Sequence, residues 1–214
     1  MANTLRSERL VYRGLEDNDE DIEFVRTLHL DSLGRTQYST TLFKPSTKSD
    51  ARERILRYQR KFISAMICLP ISSHDKEQKD AETSENPNPV GLISLSEPDP
   101  TTRHHRTSHI GIWIAPSYQR KGYGSEAIRW ILTWGFQMGG LHRIGIDCFG
   151  YNPGAKKLYQ RLGFTYEGAE RESVWYDGKW YDNITLGMLK REWRALQDKN
   201  KVEAVSEVAE EEHS

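Results

Sequence analysis

With 214 residues and a formal net charge of −1 at pH 7, the chain can build one domain with a sizeable core, and its charge gives no reason to expect nucleic acid or a membrane as a partner. Its two cysteines, Cys68 and Cys148, both lie in apolar runs, which indicates reduced core residues and not a disulfide framework. No N-terminal segment resembles a signal peptide and no apolar run is long enough to span a bilayer, so we expect a cytoplasmic protein.

The first third of the chain is predicted to alternate between strands and helices. In the first helix, acidic residues crowd the first turn, and Ile22 and Val25 share one face. The predicted elements are a flexible N-terminus over 1–9, a strand over 10–15, a helix over 17–30, an irregular segment over 31–47, a helix capped by Ser49 or Asp50, and a strand over 63–70.

Residues 71–89 form a polar segment that is nearly free of apolar side chains. Such a segment cannot bury enough surface to offset the entropy lost on ordering, so we predict a mobile insertion between the second and third strands. The sheet is expected to resume over 90–95, and a second loop follows over 96–106.

Three histidines near this loop, His104, His105 and His109, raise the question of a metal site. The adjacent pair would point in different directions, and no cysteine or carboxylate completes a ligand set. We therefore interpret them as surface histidines and expect no metal.

The middle of the chain places a strand before a basic, glycine-bearing loop. The strand over 110–114 alternates isoleucine with other residues and ends before Pro116. The loop over 119–124 contains two glycines, and Ser125 opens a helix. Free backbone N–H groups and the helix dipole make such a junction an anion site, although two glycines alone favour a simple tight turn.

A second strand and helix follow at once. The strand is predicted over 142–149, and Asn152 and Pro153 have the character of an N-cap and a first helical residue. Tyr159 falls on the packed face of this helix, where it could be a core aromatic whose hydroxyl still needs a partner. Gly163 ends the helix.

The C-terminal part is predicted to be a hairpin followed by a helix. Asp177 and Gly178 are a strong two-residue turn signal, and aromatic residues flank them on both sides. The predicted elements are strands over 164–175 and 184–189, a short helix over 190–196 and an acidic tail over 198–214.

The loop and the second helix together resemble the acetyl-CoA-binding core of the GCN5-related N-acetyltransferase (GNAT) superfamily. The signature of that family, Gln/Arg-x-x-Gly-x-Gly/Ala after the fourth strand, reads Gln-Arg-Lys-Gly-Tyr-Gly over 119–124. Its downstream Asn, Tyr and Gly-Phe match Asn152, Tyr159, Gly163 and Phe164. The Glu-Gly that follows and the late aromatic hairpin are similar to the ribosomal-protein-alanine and polyamine acetyltransferase branch.

The resemblance implies an α+β fold with a mostly antiparallel twisted sheet. The sheet would have six to seven strands, would be splayed between strands 4 and 5, and would be flanked by about four helices. The domain would extend over 10–197 and include the mobile insertion 71–89, leaving 198–214 as an acidic disordered tail.

The resemblance also implies transfer of an acetyl group from acetyl-CoA to a primary amine, by direct attack through a tetrahedral intermediate. The N–H groups of 119–124 and the helix from Ser125 would hold the pyrophosphate, and the backbone of 112–114 would pair with the pantetheine arm. Tyr159 would protonate the leaving thiolate. The expected cofactor-binding residues are Ile112, Trp113, Ile114, Gln119, Arg120, Lys121, Gly122, Tyr123, Gly124, Ser125 and Asn152.

No general base stands out in the sequence. Candidates by position are Glu97, Asp99 and His109, with Glu170 and Glu172 as weaker ones, and ordered water is the alternative.

The acceptor stays open among a protein N-terminus, a polyamine and another small amine. The aromatic residues of the hairpin either pair across the strands or line the acceptor pocket, and the same hairpin offers a self-contact surface for a homodimer.

Two rival functions are considered. The first is a CoA-binding sensor or scaffold without transferase activity, because a fold does not fix a function. The second is a nucleotide protein that uses the loop as a P-loop, but the loop lacks the Gly-Lys-Ser/Thr that such a site needs.

Overall fold

The structure, a computed structural model, describes residues 5–71 and 87–211, with the backbone alone for Leu33, Arg35 and 203–211. Most of the predicted mobile insertion over 71–89 therefore lies outside the described residues, as do the first four residues and the last three.

Seven strands form one sheet, in agreement with the predicted six to seven. They are β1 (Val11–Arg13), β2 (Ile63–Leu69), β3 (Asn88–Leu95), β4 (Thr107–Ile114), β5 (Arg143–Phe149), β6 (Thr165–Tyr176) and β7 (Lys179–Leu189). Their order across the sheet is β1-β2-β3-β4-β5-β7-β6. Every neighbouring pair is antiparallel except β4 and β5, which are parallel.

In the described part of the chain, six α-helices flank the sheet, where about four helices are expected. They are α1 (Asp19–Leu30), α2 (Ser32–Tyr38), α3 (Lys48–Gln59), α4 (Tyr123–Thr133), α5 (Pro153–Arg161) and α6 (Lys190–Glu211). A π-helical turn over Trp134–Met138 continues α4, and Gly139 follows it.

The prediction of an irregular segment over 31–47 is wrong for the first half of that segment, which forms α2. The Gly34 N–H donates to the Asp31 side chain at 2.9 Å, so Asp31 satisfies a donor in the first turn of the helix. Helix α3 likewise begins earlier than predicted. Its N-cap is Thr47, which exchanges hydrogen bonds with Asp50 in a capping box.

The C-terminal helix is longer than predicted. Helix α6 runs through 198–211, the stretch for which the sequence predicts an acidic disordered tail. That prediction weighed the charge and low hydropathy of the segment, whereas its alanine, glutamate and lysine residues are also good helix formers. At the other end of the chain, Arg6 forms a β-bridge with Val11, within the N-terminus predicted to be flexible.

The sheet opens between its two parallel strands. Pairing of β4 with β5 ends at Ile110 and Ile146, whereas β4 stays paired with β3 as far as Ile114. The edge of β4 over 111–114 that faces β5 is therefore unpaired by any strand in the described part of the chain. This is the predicted splay between strands 4 and 5.

Two hydrophobic clusters hold the helices on opposite faces of the sheet. Helices α4, α5 and α6 pack on one face through Ile128, Tyr159 and Trp193. Helices α1 and α3 pack on the other face, through Val25 and Ile55. Strand residues alternate between the two clusters, as a sheet covered on both faces requires. Cys68 and Cys148 are both buried and form no disulfide, as predicted.

Candidate active site

The glycine loop after β4 presents free backbone donors at the start of α4. Gly122 is the N-cap and has φ +85°, a left-handed conformation that favours glycine. None of the N–H groups of residues 120–125 donates a hydrogen bond to the described part of the chain. With the helix dipole and the exposed side chains of Arg120 and Lys121, these groups make an anion site.

Gln119 ties the loop to the end of the strand and adds no free donor. Its backbone N–H donates to the Pro116 carbonyl at 3.2 Å, and its side-chain amide donates to the Ile114 carbonyl at 2.9 Å. The donors of this predicted anion site are therefore those of 120–125.

The N-terminal segment holds the loop from outside, a contact absent from the sequence-based expectations. The Glu126 carboxylate in the first turn of α4 accepts from the Arg9 N–H at 2.7 Å, from its guanidinium at 2.8 Å and from the Ser7 hydroxyl at 2.7 Å. Arg9 also donates to the Lys121 carbonyl at 3.1 Å. Burial raises the pKa of Glu126, but the hydrogen bonds outweigh it, and the pKa lies below its usual value.

The start of α5 is built as predicted. The Asn152 side chain is the N-cap and accepts from the Ala155 N–H at 3.1 Å, and Pro153 follows as the first helical residue. Tyr159 lies on the buried face of this helix and is 8% exposed. Its hydroxyl makes no hydrogen bond to the described residues, and burial raises its pKa well above the ordinary value near 10.

A cavity of about 370 Å³ occupies the opening between β4 and β5. Tyr159 lines it, so the predicted catalytic residue borders the same cavity as the unpaired edge of β4. The other lining residues are Gln37, Tyr38, Ser39 and Thr40 at the end of α2, Ile110, Gly111 and Ile112 on β4, Ile146, Asp147 and Phe149 on β5, and Asn183 on β7.

Of the lining residues named above, the sequence-based candidates include only Ile112 and Tyr159. Among those missed, Asp147 on β5 and Asn183 on β7 carry polar side chains. Asp147 accepts from the Thr185 hydroxyl at 2.8 Å, and its other oxygen lies 3.5 Å from His109 Nδ1. The His109 side chain is the largest cause that lowers the pKa of Asp147, and the Thr185 hydroxyl acts in the same direction. The alternation of β5 places Asp147 on the strand face opposite Ile144 and Ile146, but it does not show that this face borders a cavity.

The candidate bases are not brought together. Glu97 pairs with Arg103 at 2.7 Å and Asp99 accepts from Thr101, both on the exposed loop before β4. Glu170 and Glu172 lie exposed on β6. None of these four lines the cavity, and His109 approaches it only through Asp147.

Trp113 and the hairpin aromatics have packing roles. Trp113 is buried on the α1 and α3 side, where it stacks on Tyr38 at 4.8 Å between ring centroids. The turn at Asp177 and Gly178 forms as predicted, and Trp175 and Trp180 pair across it with centroids 5.1 Å apart. Both tryptophans are exposed and neither lines the cavity, so the structure favours cross-strand pairing.

No group of three or more histidine, cysteine, aspartate or glutamate side chains that could hold a metal occurs among the described residues. Within the same residues, no helix has the length and apolar character needed to cross a membrane.

The fold and the site define a class of α+β proteins in which a sheet opened between two parallel strands can hold an extended ligand. The acetyltransferase (GNAT) family model matches residues 50–164, just over half of the chain, and the chain belongs to that family. The resemblance inferred from the sequence is thereby confirmed.

The chain is similar to named acetyltransferases over part of their length. It is 33% identical over 103 residues to YdaF of Bacillus subtilis (strain 168), provisionally named a ribosomal N-acetyltransferase, covering 48% of this chain and 55% of YdaF. It is 32% identical over 106 residues to the spermidine N(1)-acetyltransferase of Vibrio cholerae (serotype O1), covering 50% of this chain and 60% of that protein. The chain thus spans between half and two thirds of these curated relatives.

A solved structure shares this fold over nearly the whole length of the solved chain. The crystal structure of spermidine N-acetyltransferase from Vibrio cholerae, in complex with CoA and spermine, superposes with a TM-score of 0.70 at 22% identity. The superposition covers 87% of this chain and 99% of that one, which confirms the predicted GNAT fold.

Proposed function

We propose that this protein is an acetyl-CoA-dependent N-acetyltransferase that acts on a primary amine. The observation that carries the proposal is the cavity in the sheet opening, where the unpaired edge of β4 faces a buried, hydrogen-bond-free Tyr159 hydroxyl. Membership of the GNAT family and the names of its relatives support the same activity.

The residues present fit acetyl-CoA as the co-substrate. The six free N–H groups of 120–125 suit a pyrophosphate at the start of α4, with Gln119 fixing the loop to β4. On the unpaired edge of β4 over 112–114, the Ile112 backbone groups and the Ile114 N–H face the opening and can bond an extended pantetheine arm, whereas the groups of Trp113 face β3. Asn152 fixes the start of α5, the helix that carries Tyr159.

The proposed chemistry is a direct transfer. The neutral amine nitrogen forms a bond to the acetyl carbonyl carbon, the carbon–sulfur bond breaks, and the thiolate takes a proton from the Tyr159 hydroxyl. The nitrogen, now positively charged, releases a proton to solvent to give the amide, and solvent returns a proton to the Tyr159 oxygen. Because burial raises its pKa, this hydroxyl keeps its proton at neutral pH, as a general acid must. A backbone N–H on the unpaired edge of β4 can stabilise the charge that develops on the carbonyl oxygen.

The acceptor class rests on the relatives. Their names point to spermidine and to ribosomal proteins, so the proposed acceptors are a polyamine or a protein N-terminus, with other small amines as the alternative. The cavity lining contains the carboxylate of Asp147 and no lysine, arginine or histidine, which suits a cationic amine.

Turnover of acetyl-CoA by the purified protein tests the proposal. The panel contains spermidine, a lysine peptide and peptides with free Ser or Ala N-termini; free thiol is the readout, and binding of CoA and of ATP is measured in parallel. We expect tight binding of CoA alone and thiol release that depends on one acceptor class. CoA binding without release from any acceptor would favour a non-catalytic CoA-binding protein, and preferential binding of ATP would contradict our interpretation of the loop.

A further inference from the structure

Asp147 points away from the hydrophobic face of its own strand. On β5, Ile144, Ile146 and Cys148 are buried towards α4 and α5, so Asp147 projects to the other face of the sheet, where the cavity opens. Its cross-strand neighbour on β7 is Thr185, whose hydroxyl donates to Asp147 Oδ1 at 2.8 Å. The carboxylate is therefore held in a fixed direction beside the cavity.

Asn183 stands on the same face of the sheet, two residues along β7 from Thr185. Its register partner is Phe149, which also lines the cavity. The Asn183 Oδ1 atom is buried and accepts no hydrogen bond from the described residues. A buried acceptor without a donor is costly, and because the Asn183 residue lines the cavity, a rotation of its side chain can offer this oxygen to a ligand that donates.

The charge of the cavity lining indicates which kind of hydrogen-bond donor the ligand carries. Asp147 is the one charged side chain in the described lining, and the nearest cationic candidate, His109, stands behind it at 3.5 Å. An ammonium group carries three donors and no acceptor, so a carboxylate oxygen and an amide oxygen together match it. A carboxylate or phosphate ligand would meet repulsion from Asp147 and would find no cation among the lining residues.

We propose that Asp147 and Asn183 form the cation-binding part of this cavity and hold the reacting nitrogen of the acceptor as its ammonium, before it loses a proton to solvent. This inference rests on the proposed function, because it assigns the acceptor side of the same site. Asp147 is the charged anchor, positioned by Thr185, and Asn183 is the second acceptor. Tyr159 lines the same cavity and serves the leaving thiolate.

Variants of the two residues test the assignment in the full chain. We expect Asp147→Asn to raise the KM for the responding amine about 10- to 100-fold and Asn183→Ala to raise it about 3- to 10-fold, with smaller changes in kcat. Asp147→Glu should restore part of the affinity. Asp198→Asn, on the exposed face of α6, removes the same charge away from the cavity and should change neither parameter.

Two readouts separate recognition from a merely structural role. The affinity of the CoA-saturated protein for spermidine and for a peptide with a free N-terminal Ser is measured by calorimetry, without turnover. The same affinities are measured at increasing salt. The wild type should lose affinity as salt screens the charge pair, whereas Asp147→Asn should respond much less. Affinity for CoA and the unfolding temperature should be the same in both proteins.

The outcomes distinguish this inference from the proposed function. Amine binding that depends on Asp147, with no thiol release, would support the inference and reject the transferase. Turnover with an unchanged KM and an unchanged salt response in Asp147→Asn would overturn the inference and leave the transferase standing. Failure of the wild type to bind either amine would overturn the inference as well.

Discussion

At the scale of single residues, Tyr159 carries the most specific chemical claim. Its ring packs in the core near Phe164, with the two ring centroids 6.2 Å apart. A packing role and a catalytic role both require an aromatic ring at this position. They differ only at the hydroxyl, which has no hydrogen-bond partner among the described residues, and Tyr159 lines the cavity. Removal of the oxygen alone therefore separates the two roles.

We expect Tyr159→Phe to lower kcat by about 10²- to 10⁴-fold, the usual contribution of a general acid, while CoA affinity stays within about twofold. The kcat is measured as thiol release under conditions where chemistry limits the rate, and the CoA affinity is measured by calorimetry. Tyr166→Phe, on the exposed side of β6, is the matched control. Full turnover by Tyr159→Phe would show that another group or water supplies the proton.

The residue scale also shows where sequence patterns stop being informative. The signature residues Gly122, Asn152 and Tyr159 occur in fixed motifs, so they could be found without coordinates. Asp147 and Asn183 belong to no motif and meet only because β5 and β7 become neighbours in a particular register. A carboxylate on a strand is usually a solvated charge, and the sequence gives no way to see that this one faces a cavity.

At the scale of elements, the anion loop depends on a conformation that few residues adopt. Gly122 has φ +85°, and Arg120, two residues earlier, has φ +61°, so two residues of the loop adopt the left-handed conformation. A Cβ added at Gly122 would also lie 3.0 Å from Arg9 Nη2. Any other residue at this position must strain the backbone or change the direction of the free N–H groups.

We expect Gly122→Ala to weaken CoA binding about 5- to 30-fold, which corresponds to the roughly 1–2 kcal/mol that a left-handed conformation costs an ordinary residue. Gly154→Ala is the control, because Gly154 lies in the first turn of α5 with no positive φ and an added Cβ has ordinary contacts there. Titration with CoA measures both variants. Equal affinities would show that the loop tolerates a side chain and that its glycine is not needed for anion binding.

Elements were predictable where periodicity and capping agree. Strands β4 and β5 and helix α5 have clear alternation or a clear N-cap, and they form where expected. Helix α2 was not predicted, because its glycine favours a break, although its cap is local: Asp31 accepts from the Gly34 N–H three residues later, and this N-cap residue is present in the sequence. Helix α6 extends into a charged segment because an exposed helix needs good helix formers more than it needs apolar residues.

At the scale of the whole molecule, the splay of the sheet could be expected only through family resemblance. Nothing in β4 or β5 alone says that their pairing ends at Ile110, since both strands continue the same alternation beyond it. The link between the N-terminus and α4 could not be expected either. The sequence predicts that Ser7 and Arg9 belong to a flexible N-terminus, yet both residues hydrogen-bond to Glu126, more than a hundred residues further along the chain.

This link predicts a pH-dependent contribution to stability. The hydrogen bonds from Arg9 and Ser7 hold the pKa of Glu126 below the value of 4.5 that an unperturbed glutamate has. A carboxyl whose pKa is lower in the folded state stabilises the fold above its unfolded pKa, and loses that effect as the pH falls through its folded pKa. Hydrogen bonds to a charged group contribute about 1.5–3 kcal/mol, so Glu126→Gln should lower the free energy of unfolding by about that much at pH 7.

The difference between wild type and Glu126→Gln should stay constant from pH 7 to about pH 5 and then shrink below pH 4.5, because the wild-type carboxylate becomes neutral like the glutamine. Chemical denaturation at a series of pH values measures it. Glu53→Gln on the exposed side of α3, whose nearest basic atom is 4.0 Å away on Arg57, should show a much smaller difference at every pH. Equal changes in the free energy of unfolding for the two variants, without pH dependence, would show that the N-terminal segment does not stabilise the domain through Glu126. The position of that segment beside the anion loop would then depend on the packing of residues such as Leu10 and Tyr12 alone.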